Sequence, residues 1–299
     1  MSDVPAVSAQ ELLTTKEVAD YLRIKERRVY ELVRQGAIPC TRVTGKWLFP
    51  RVQIDLWLAE NAAGEQAVSP PPVIAGSHDP LLDWAVKESG CGLALLPGGS
   101  LDGIHRFAQG EAMLAGLHLF DAQSGEFNVP TIRDKLSGQG IVLLEWAVRR
   151  QGLVLTPGNP RGIRGLRDLA RADVRVMRRQ REAGSHVLLA HLLEREGLTL
   201  EDLRFADDTA RGETDLGFAI LEGGADAGLA VEAVARSLKL DFVPLLRERY
   251  DVLVRRRDYF STPVQRLFAF ARSEAFAARA AQMGGYDISG LGTVRFNGP

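Results

Sequence analysis

Three glycine–serine segments carry side chains suited to binding a small anion. They read GSHDP at residues 76–80, GGS at 98–100 and GSH at 184–186, and each lies between a short apolar run and a helical stretch. Backbone N–H groups at a helix start lack intrahelical partners and attract anions, and serine hydroxyls add neutral donors. A single serine at such a place more often caps its helix. The three together predict an oxyanion site formed by converging helix starts.

Histidines accompany two of these segments. His78 and His186 would titrate near neutral pH, so each is a candidate ligand-binding or pH-sensitive group, with a capping or surface role as the alternative. The nucleophile pattern Gly-x-Ser-x-Gly is absent and no base–orienter pair is evident, so an enzyme is not expected. The two cysteines, Cys40 and Cys91, have no metal-type spacing, so we expect neither a disulfide nor a metal or other cofactor.

A second set of functional side chains is basic and lies near the N-terminus. Thr14 and Glu17 form a capping-box pattern, and a second helix is predicted over 26–35 with Gly36 as its stop. Two short helices joined by a tight turn predict a helix-turn-helix motif. Polar and basic residues lie on the outer face of the second helix and on the following hairpin. The candidate DNA-binding residues are Lys25, Arg27, Arg28, Tyr30, Arg34 and Lys46.

The segment CTRVTGKWLFP predicts a β-hairpin that turns at Thr44–Gly45, followed by a third helix from Pro50. A helix of this size fits the major groove, where arginine donates two hydrogen bonds to guanine. Lys46 at the hairpin tip would reach a phosphate or the minor groove. The alternative is that these charges are only solvated, but their shared position on one outer face favours DNA contact.

The elements that position the glycine–serine segments and the basic residues divide the chain into four parts. Residues 1–10 are predicted as a flexible tail, 11–61 as the winged helix-turn-helix domain, 62–72 as a Pro-rich linker and 73–299 as an α/β domain in which strands and helices alternate. The formal net charge of −1 over 299 residues means that any basic surface is local. No secretory signal or apolar run long enough to span a membrane is evident, so a cytoplasmic protein is expected.

The N-terminal pattern resembles a known DNA-binding family. The order T-KEVA-YL, then VY-L---G-IP--R-G--W-F, covers about 50 residues and is similar to the excisionase-type winged helix-turn-helix domains, which are related to the MerR family. The resemblance implies that the second helix and the wing bind double-stranded DNA.

Residues 73–299 resemble the type-two periplasmic-binding-protein fold, in particular the molybdate-binding-protein-like domain fused to helix-turn-helix regulators. The carrying segments are LLPGGSLDGIHRFAQGEAMLAGLHLFD, VMRRQREAGSHVLL and GGADAGLAVEAVARSLKLDFVPLLRERYDVLV. The resemblance implies two lobes, about 73–148 with 247–299 and about 149–246, joined by crossovers near 146–153 and 242–250. It also implies that Ser77, Ser100, Arg179, Ser185 and Asp226 face the cleft between them.

Two positions depart from that family's pattern. His186 stands where an arginine usually follows the hydroxyl residue, and Asp215 stands before the ADAGL turn where the family commonly has Thr-His. An inward-pointing acid would repel an oxyanion. Molybdate or tungstate is therefore one expected effector, and a small organic acid or an amine-bearing ligand is another.

The sequence thus predicts a dimeric, ligand-responsive transcriptional regulator. The alternatives are a regulator of a different metabolite, a transport solute-binding protein, and an architectural excision factor. The fused winged domain argues against a transport protein, and the large second domain argues against an excision factor.

Overall fold

The computed structural model describes residues 12–43, 45–61 and 69–298, and the chain divides after Val68 into two compact units. The predicted tail at 1–10, Thr44 of the predicted hairpin turn and residues 62–68 of the predicted linker lie outside the described residues.

The N-terminal unit is a small winged helix-turn-helix fold. Its elements are β1 (Leu12–Thr14), α1 (Thr15–Tyr21), α2 (Glu26–Arg34), β2 (Thr41–Val43), β3 (Lys46–Pro50) and α3 (Arg51–Asn61). The three strands form an antiparallel sheet in the order β1-β3-β2, so β2 and β3 make the wing. Strand β1, whose partner β3 lies 34 or more residues along the chain, was not predicted from the sequence.

Local sequence signals explain the two helices of the motif. The capping box at α1 forms as predicted, because the Glu17 amide donates to Thr14 Oγ1 at 3.4 Å and the Thr14 amide donates to Glu17 Oε2 at 2.8 Å. After α2 the chain turns at Gly36, whose φ of +64° suits glycine. The helices bury Val18, Val29 and Ile54 completely. This core leaves the opposite face of α2 exposed.

The second unit is an α/β fold around one large sheet. Its strands are β4 (Val73–Gly76), β5 (Ala94–Pro97), β6 (Leu114–Leu117), β7 (Ile141–Leu155), β8 (Val176–Arg179), β9 (Phe205–Ala210), β10 (Ala227–Val231), β11 (Asp241–Arg255), β12 (Tyr286–Asp287) and β13 (Val294–Asn297). Its helices are α4 (Pro80–Ser89), α5 (Ser100–Ala108), α6 (Val129–Lys135), α7 (Gly184–Arg195), α8 (Glu213–Leu221), α9 (Glu232–Leu238), α10 (Arg256–Tyr259), α11 (Thr262–Ala271) and α12 (Glu274–Met283). Short 3₁₀ turns occur at Leu166–Ala170 and Leu200–Asp202.

The sheet order β5-β4-β6-β11-β7-β10-β8-β9 places two small parallel groups on either side of a long central pair. Strands β5, β4 and β6 are parallel in the first lobe, and β10, β8 and β9 are parallel in the second. The central strands β7 and β11 each have 15 residues and pair antiparallel from Ile141–Arg255 to Leu155–Asp241. They contain the predicted crossover segments, and they make the sheet mixed. The predicted fold class, a winged helix-turn-helix domain before a two-lobed α/β domain, is confirmed.

A tight contact beside the central pair gives a stability prediction. A Cβ added to Gly116 in β6 would lie 1.8 Å from the Tyr250 hydroxyl oxygen and 3.3 Å from the Ser77 carbonyl oxygen. Because Tyr250 is fully buried, Gly116→Ala is expected to cost roughly 1–3 kcal/mol of unfolding free energy through overpacking. The matched control is Gly140→Ala, where a Cβ meets nothing within 4 Å. Urea denaturation of the full chain measures both, and equal stabilities for the two variants would contradict the packing argument.

Candidate functional site

Two of the predicted serines meet in the first lobe. Ser77 follows β4 and Ser100 begins α5, and their hydroxyl oxygens are 2.8 Å apart in a hydrogen bond. Both are buried. The His118 amide, just beyond β6, donates to Ser100 Oγ at 3.1 Å, and the Tyr250 hydroxyl donates to the Ser77 carbonyl at 2.5 Å. The carboxyl ends of β4 and β6 therefore hold this serine pair in a fixed position.

The third predicted serine lies at the start of α7 in the second lobe. Ser185 is 1% exposed, and its Oγ has no hydrogen-bond partner among the described residues. A Cβ added to Gly184 would lie 2.8 Å from the His118 carbonyl oxygen and 3.0 Å from the Nε2 of its ring. The start of α7, a 12-residue helix, therefore lies against His118, whose amide donates to Ser100.

Hydrogen bonds to backbone carbonyls join the two lobes at this point. The Gln180 side-chain amide donates to the Gly98 carbonyl at 2.9 Å, and the Leu101 amide donates to the Glu182 carbonyl at 3.2 Å. Gly99 has a φ of +100°, and a Cβ there would lie 2.6 Å from the Glu182 carbonyl oxygen, so only glycine fits. The structure therefore brings the segments around residues 98–100 and 184–186 into direct contact.

His118 is a site residue that the sequence analysis missed. Its imidazole is fully buried, with Nδ1 3.0 Å from Glu248 Oε2 on β11 and with Nε2 lacking any hydrogen-bond partner in the described chain. The one available signal was its position directly after the buried run LAGL, at the carboxyl end of a strand. The His118 Nε2 and the Ser185 Oγ are thus two buried polar atoms without a hydrogen-bond partner among the described residues.

A buried ion network is linked to His118 through Glu248. Arg149 on β7 is 1% exposed, donates to Asp79 Oδ2 at 2.9 Å and forms a second ion pair with Glu248. The Tyr286 hydroxyl donates to the same Asp79 oxygen at 2.8 Å. Burial raises the pKa of Glu248, but the positive charge of Arg149 and the interaction with His118 together lower the pKa to about 2. Glu248 is therefore a carboxylate at every physiological pH.

Arg179 also enters a buried ion pair. Its Nη1 lies 3.0 Å from Glu213 Oε1 at the start of α8, and Glu213 accepts a further hydrogen bond from the Val231 amide at 3.1 Å. The Nε of Arg179 has no partner among the described residues. Asp215 is the acid that would repel an oxyanion if it pointed into the cleft. Its carboxylate instead accepts a hydrogen bond from the Gly212 amide at 2.9 Å and caps α8. The buried acid of this region is Glu213.

Asp226 requires a correction, because it does not face the cleft. It precedes β10, at the amino end of a strand that runs parallel to β8. Its carboxylate accepts the Arg175 amide at 2.8 Å and pairs with Arg161 at 3.3 Å. The serine cluster lies instead at the carboxyl ends of the parallel strands, where ligands of open α/β sheets bind.

The two predicted histidines lie in different surroundings. His78 borders a small cavity of about 80 Å³ next to Ser77, and a Cβ on Gly212 of the second lobe would come 3.7 Å from its ring. His186 lines a separate open pocket of about 540 Å³ together with the exposed Arg178 and Arg181. Partial burial and these two guanidinium groups lower the pKa of His186. His186 is therefore placed in a basic surface pocket, apart from the serine pair.

The predicted DNA-binding residues are all exposed in the N-terminal unit. The side chains of Arg27 and Arg28 are 89% and 55% exposed, and both pair with Glu31 on the same helix, at 3.3 and 2.9 Å. The other exposed members are Lys25, Tyr30, Arg34 and Lys46. Salt bridges this exposed are weak, so both arginines are available to a polyanion.

Metal binding and membrane insertion find no support in the described residues. No group of three or more His, Cys, Asp or Glu side chains there is arranged to hold a metal ion. No helix in the described part of the chain is long and apolar enough to cross a membrane.

Comparison with known families decides the classification. The model of the PBP superfamily domain matches residues 83–272, which is more than half of the chain. The chain belongs to this superfamily. A helix-turn-helix domain model also matches residues 12–62, so the PBP-like unit follows a DNA-binding motif. This combination is that of a DNA-binding regulator with a ligand-binding domain.

Two relatives match in sequence, and each is described as an uncharacterized protein. The protein YvgK of Bacillus subtilis (strain 168) is 27% identical over 300 residues, which cover 94% of this chain and 96% of the relative. A Clostridium pasteurianum protein, named for its place in the 5′ region of a ferredoxin 2Fe-2S gene, is 30% identical over 76 residues, covering 25% of this chain and 67% of its own length.

A solved structure agrees in fold. It is described as a putative phosphate ABC transporter substrate-binding protein from Clostridium perfringens with bound phosphate, and it matches with a TM-score of 0.51 at 13% identity. The match covers 71% of this chain and 96% of that chain. At this identity the likeness shows the two-lobed fold and nothing about the ligand.

Proposed function

We propose that this protein is a cytoplasmic, dimeric transcriptional regulator whose PBP-like unit binds a small oxyanion at the contact between its lobes. The serine hydroxyls of Ser77, Ser100 and Ser185 and the start of α7 would hold the anion. The exposed face of α2 and the wing would hold operator DNA. The effector candidates are molybdate, tungstate, sulfate, phosphate and small organic acids.

The observation that carries this proposal is the pair of orphan polar atoms, Ser185 Oγ and His118 Nε2, next to the serine pair. A buried polar atom without a partner costs about 1–3 kcal/mol, so its presence favours a ligand that supplies the partner. The start of α7 adds backbone donors and the positive end of a helix dipole. An oxyanion has enough acceptor oxygens to satisfy all of these donors at once.

Coupling to DNA would come from the central strands. Because β7 and β11 run through both lobes, a change in lobe separation would bend this pair, and ligand would favour one arrangement. Effector and operator then each change the other's affinity by the same factor. A dimer fits the two-fold symmetric operators that helix-turn-helix units read.

Glu248, His118 and Ser185 are the residue types of a Glu–His–Ser hydrolase triad. We propose that they bind a ligand and do not catalyse hydrolysis. Glu248 orients His118, but His118 Nε2 and Ser185 Oγ share no hydrogen bond, and Ser100 and Ser77 bond to each other. A nucleophile and its base normally lie within hydrogen-bond reach. Turnover of p-nitrophenyl acetate that is lost in Ser185→Ala would overturn this part of the proposal.

A thermal-shift screen of the purified full chain tests the proposal. The probes are sulfate, phosphate, molybdate, tungstate and a set of small carboxylic acids. A ligand that binds only the native state adds about 2.7 kcal/mol of stability at a hundred times its dissociation constant. A rise in melting temperature with at least one oxyanion is expected. A flat response to all four oxyanions would reject the oxyanion site, and a shift from a carboxylic acid alone would reassign the effector.

The Ser185→Ala variant makes the site assignment specific. Removal of a hydroxyl that donates to an anion is expected to weaken binding roughly 10- to 100-fold, because hydrogen bonds to charged groups are worth about 1.5–3 kcal/mol. Folding should be unaffected, since Ser185 Oγ has no partner within the described chain. The control is Ser89→Ala, whose Oγ bonds to the Val86 carbonyl of its own helix. Isothermal titration with the anion found in the screen measures both affinities.

A further inference from the structure

Gln151 on β7 carries a buried amide that no part of the proposed site has used. Its side chain is 0% exposed, and neither Nε2 nor Oε1 has a hydrogen-bond partner among the described residues. A side-chain amide can donate two hydrogen bonds and accept two, so both capacities are open here. Buried polar side chains are paired in most proteins, and an unpaired one calls for a partner that the chain does not supply.

The direction of β7 places Gln151 on the face of the sheet that packs against α7. Alternate residues of a strand lie on the same face, so Gln151 shares its face with Leu153 and Leu155. Those two leucines belong to one buried cluster with Leu188 and Leu189 of α7. On this side of Gln151, the strand therefore packs against the body of that helix.

On the other side of Gln151, the same face leads to the start of α7. Arg149 pairs with Glu248, and Glu248 lies 3.0 Å from Nδ1 of His118. The Nε2 of that histidine would lie 3.0 Å from a Cβ added to Gly184, the first residue of α7. Gln151 thus lies between two groups of residues that both reach α7, at the contact of the lobes where that helix begins.

The amide of Gln151 restricts the chemistry of a ligand bound at this place. Sulfate, molybdate and tungstate carry no proton near neutral pH, so they offer acceptor oxygens only. Such an anion satisfies Nε2 and leaves the buried Oε1 without a donor, which costs free energy. An anion that also carries a hydroxyl group, such as hydrogen phosphate or a 2-hydroxycarboxylate, offers a donor and acceptors together and satisfies both ends of the amide.

We infer that Gln151 is a ligand-binding residue that selects an anion bearing a hydroxyl group. Its Nε2 donates to an anionic oxygen and its Oε1 accepts from the ligand hydroxyl, while Ser185 and the start of α7 donate to the remaining oxygens. The inference rests on the proposed anion site and narrows its effector to hydrogen phosphate or a small 2-hydroxy acid. Because Gln151 is 0% exposed, the lobes must separate for the ligand to enter.

Isothermal titration of the full chain with phosphate and with sulfate at pH 8.5 tests this inference. At this pH both anions are tetrahedral dianions of nearly equal size, and only phosphate carries a hydroxyl group. Phosphate is expected to bind roughly 10- to 100-fold more tightly, because sulfate leaves the buried Oε1 unpaired. A second matched pair, 2-hydroxypropionate and propionate, tests the carboxylic acids in the same way and distinguishes the two sources of the hydroxyl group.

Two variants assign the preference to Gln151. Gln151→Met removes both polar atoms at similar side-chain length, so the affinities within each pair should become nearly equal. This variant should fold, because no hydrogen bond of the described chain is lost. Gln151→Glu accepts but does not donate, so it should weaken both dianions and increase the preference for phosphate. The control is Gln265→Met on α11, where Nε2 donates to the Tyr259 carbonyl at 2.7 Å, and it should retain the preference of the parent protein.

The outcomes separate this inference from the proposed function. Equal affinities within each pair that binds to the parent protein overturn the inference and leave the anion site intact, and this comparison needs no variant to fold. A preference that persists unchanged in Gln151→Met also overturns it, as expected if an enclosed water satisfies the amide. Failure of all four probes to bind overturns the inference together with the oxyanion site.

Discussion

Arg149→Met is expected to destabilise the PBP-like unit by about 3–5 kcal/mol. Arg149 is 1% exposed and is the buried cation between Asp79 and Glu248, while its guanidinium also lies 4.5 Å from the centre of the Tyr250 ring. Methionine would leave the carboxylates of Asp79 and Glu248 buried without the guanidinium that pairs with both. Removing one member of a buried ion network costs far more than the network itself contributes, because the remaining charge stays desolvated.

The pH dependence of stability follows from the same network. The pKa of Glu248 is about 2 in the folded protein, below its ordinary value. Its contribution to stability is fully present above the unfolded pKa and is lost as the pH falls through that value towards 2. Without Arg149, burial would instead raise the pKa of Glu248. Arg149→Met should therefore be relatively less damaging at pH 4 than at pH 8, because protonation relieves the buried charges.

Urea denaturation of the full chain at pH 8 and pH 4 measures this effect. The control is Arg150→Met, the next residue of the same strand, whose side chain is 47% exposed and pairs with Glu232. Glu232 keeps Arg236 at 2.7 Å, so this control should cost about 1 kcal/mol or less. Arg149→Lys keeps the charge but has no planar guanidinium to bond both carboxylates. Its loss of stability should therefore lie between those of Arg149→Met and Arg150→Met. A destabilisation below about 1 kcal/mol in Arg149→Met would contradict the role of the network.

The fold was predictable wherever the signals were local. The capping box of Thr14 and Glu17, the glycine stop at Gly36 and the apolar runs of the sheet all act within a few residues, and the structure contains them. Strand β7, however, runs without a break from Ile141 to Leu155 and serves both lobes. A strand that spans two lobes pairs with different strands along its length. The spacing of apolar residues does not show which strands will pair.

The site was predictable only in part, for a related reason. Serines at helix starts are visible in a sequence, and Ser77 and Ser100 do meet. The partners of His118 and Arg149 lie 130 and 99 residues away on β11, and no local pattern pairs them. Asp226 was misplaced because a motif resemblance says which strand follows and not which end of the strand faces the ligand. Strand direction in the sheet, known only from the fold, decides that point.

Replacing Arg27 and Arg28 by alanine is expected to weaken DNA binding and to flatten its salt dependence. Both side chains are more than half exposed on α2, and their only acidic partner among the described residues is Glu31. Removing one arginine–phosphate interaction lowers the slope of log K against log salt by about 0.9, so the double variant should lower it by about 1.8 per DNA-binding unit. Where an arginine reads guanine, about 1–3 kcal/mol of sequence discrimination would disappear as well.

Fluorescence anisotropy with a mixed-sequence duplex of about 30 base pairs, roughly three turns of B-form DNA, measures the salt slope before any operator is known. The control is Arg167→Ala with Arg171→Ala, two arginines of the PBP-like unit that also pair with carboxylates and are 74% and 40% exposed. Both double variants lower the net charge by the same amount. A general charge effect would flatten the two slopes equally, whereas contact through α2 flattens only the first. Equal slopes in all three proteins would remove α2 from the DNA interface and leave the wing residue Lys46 as the next position to replace.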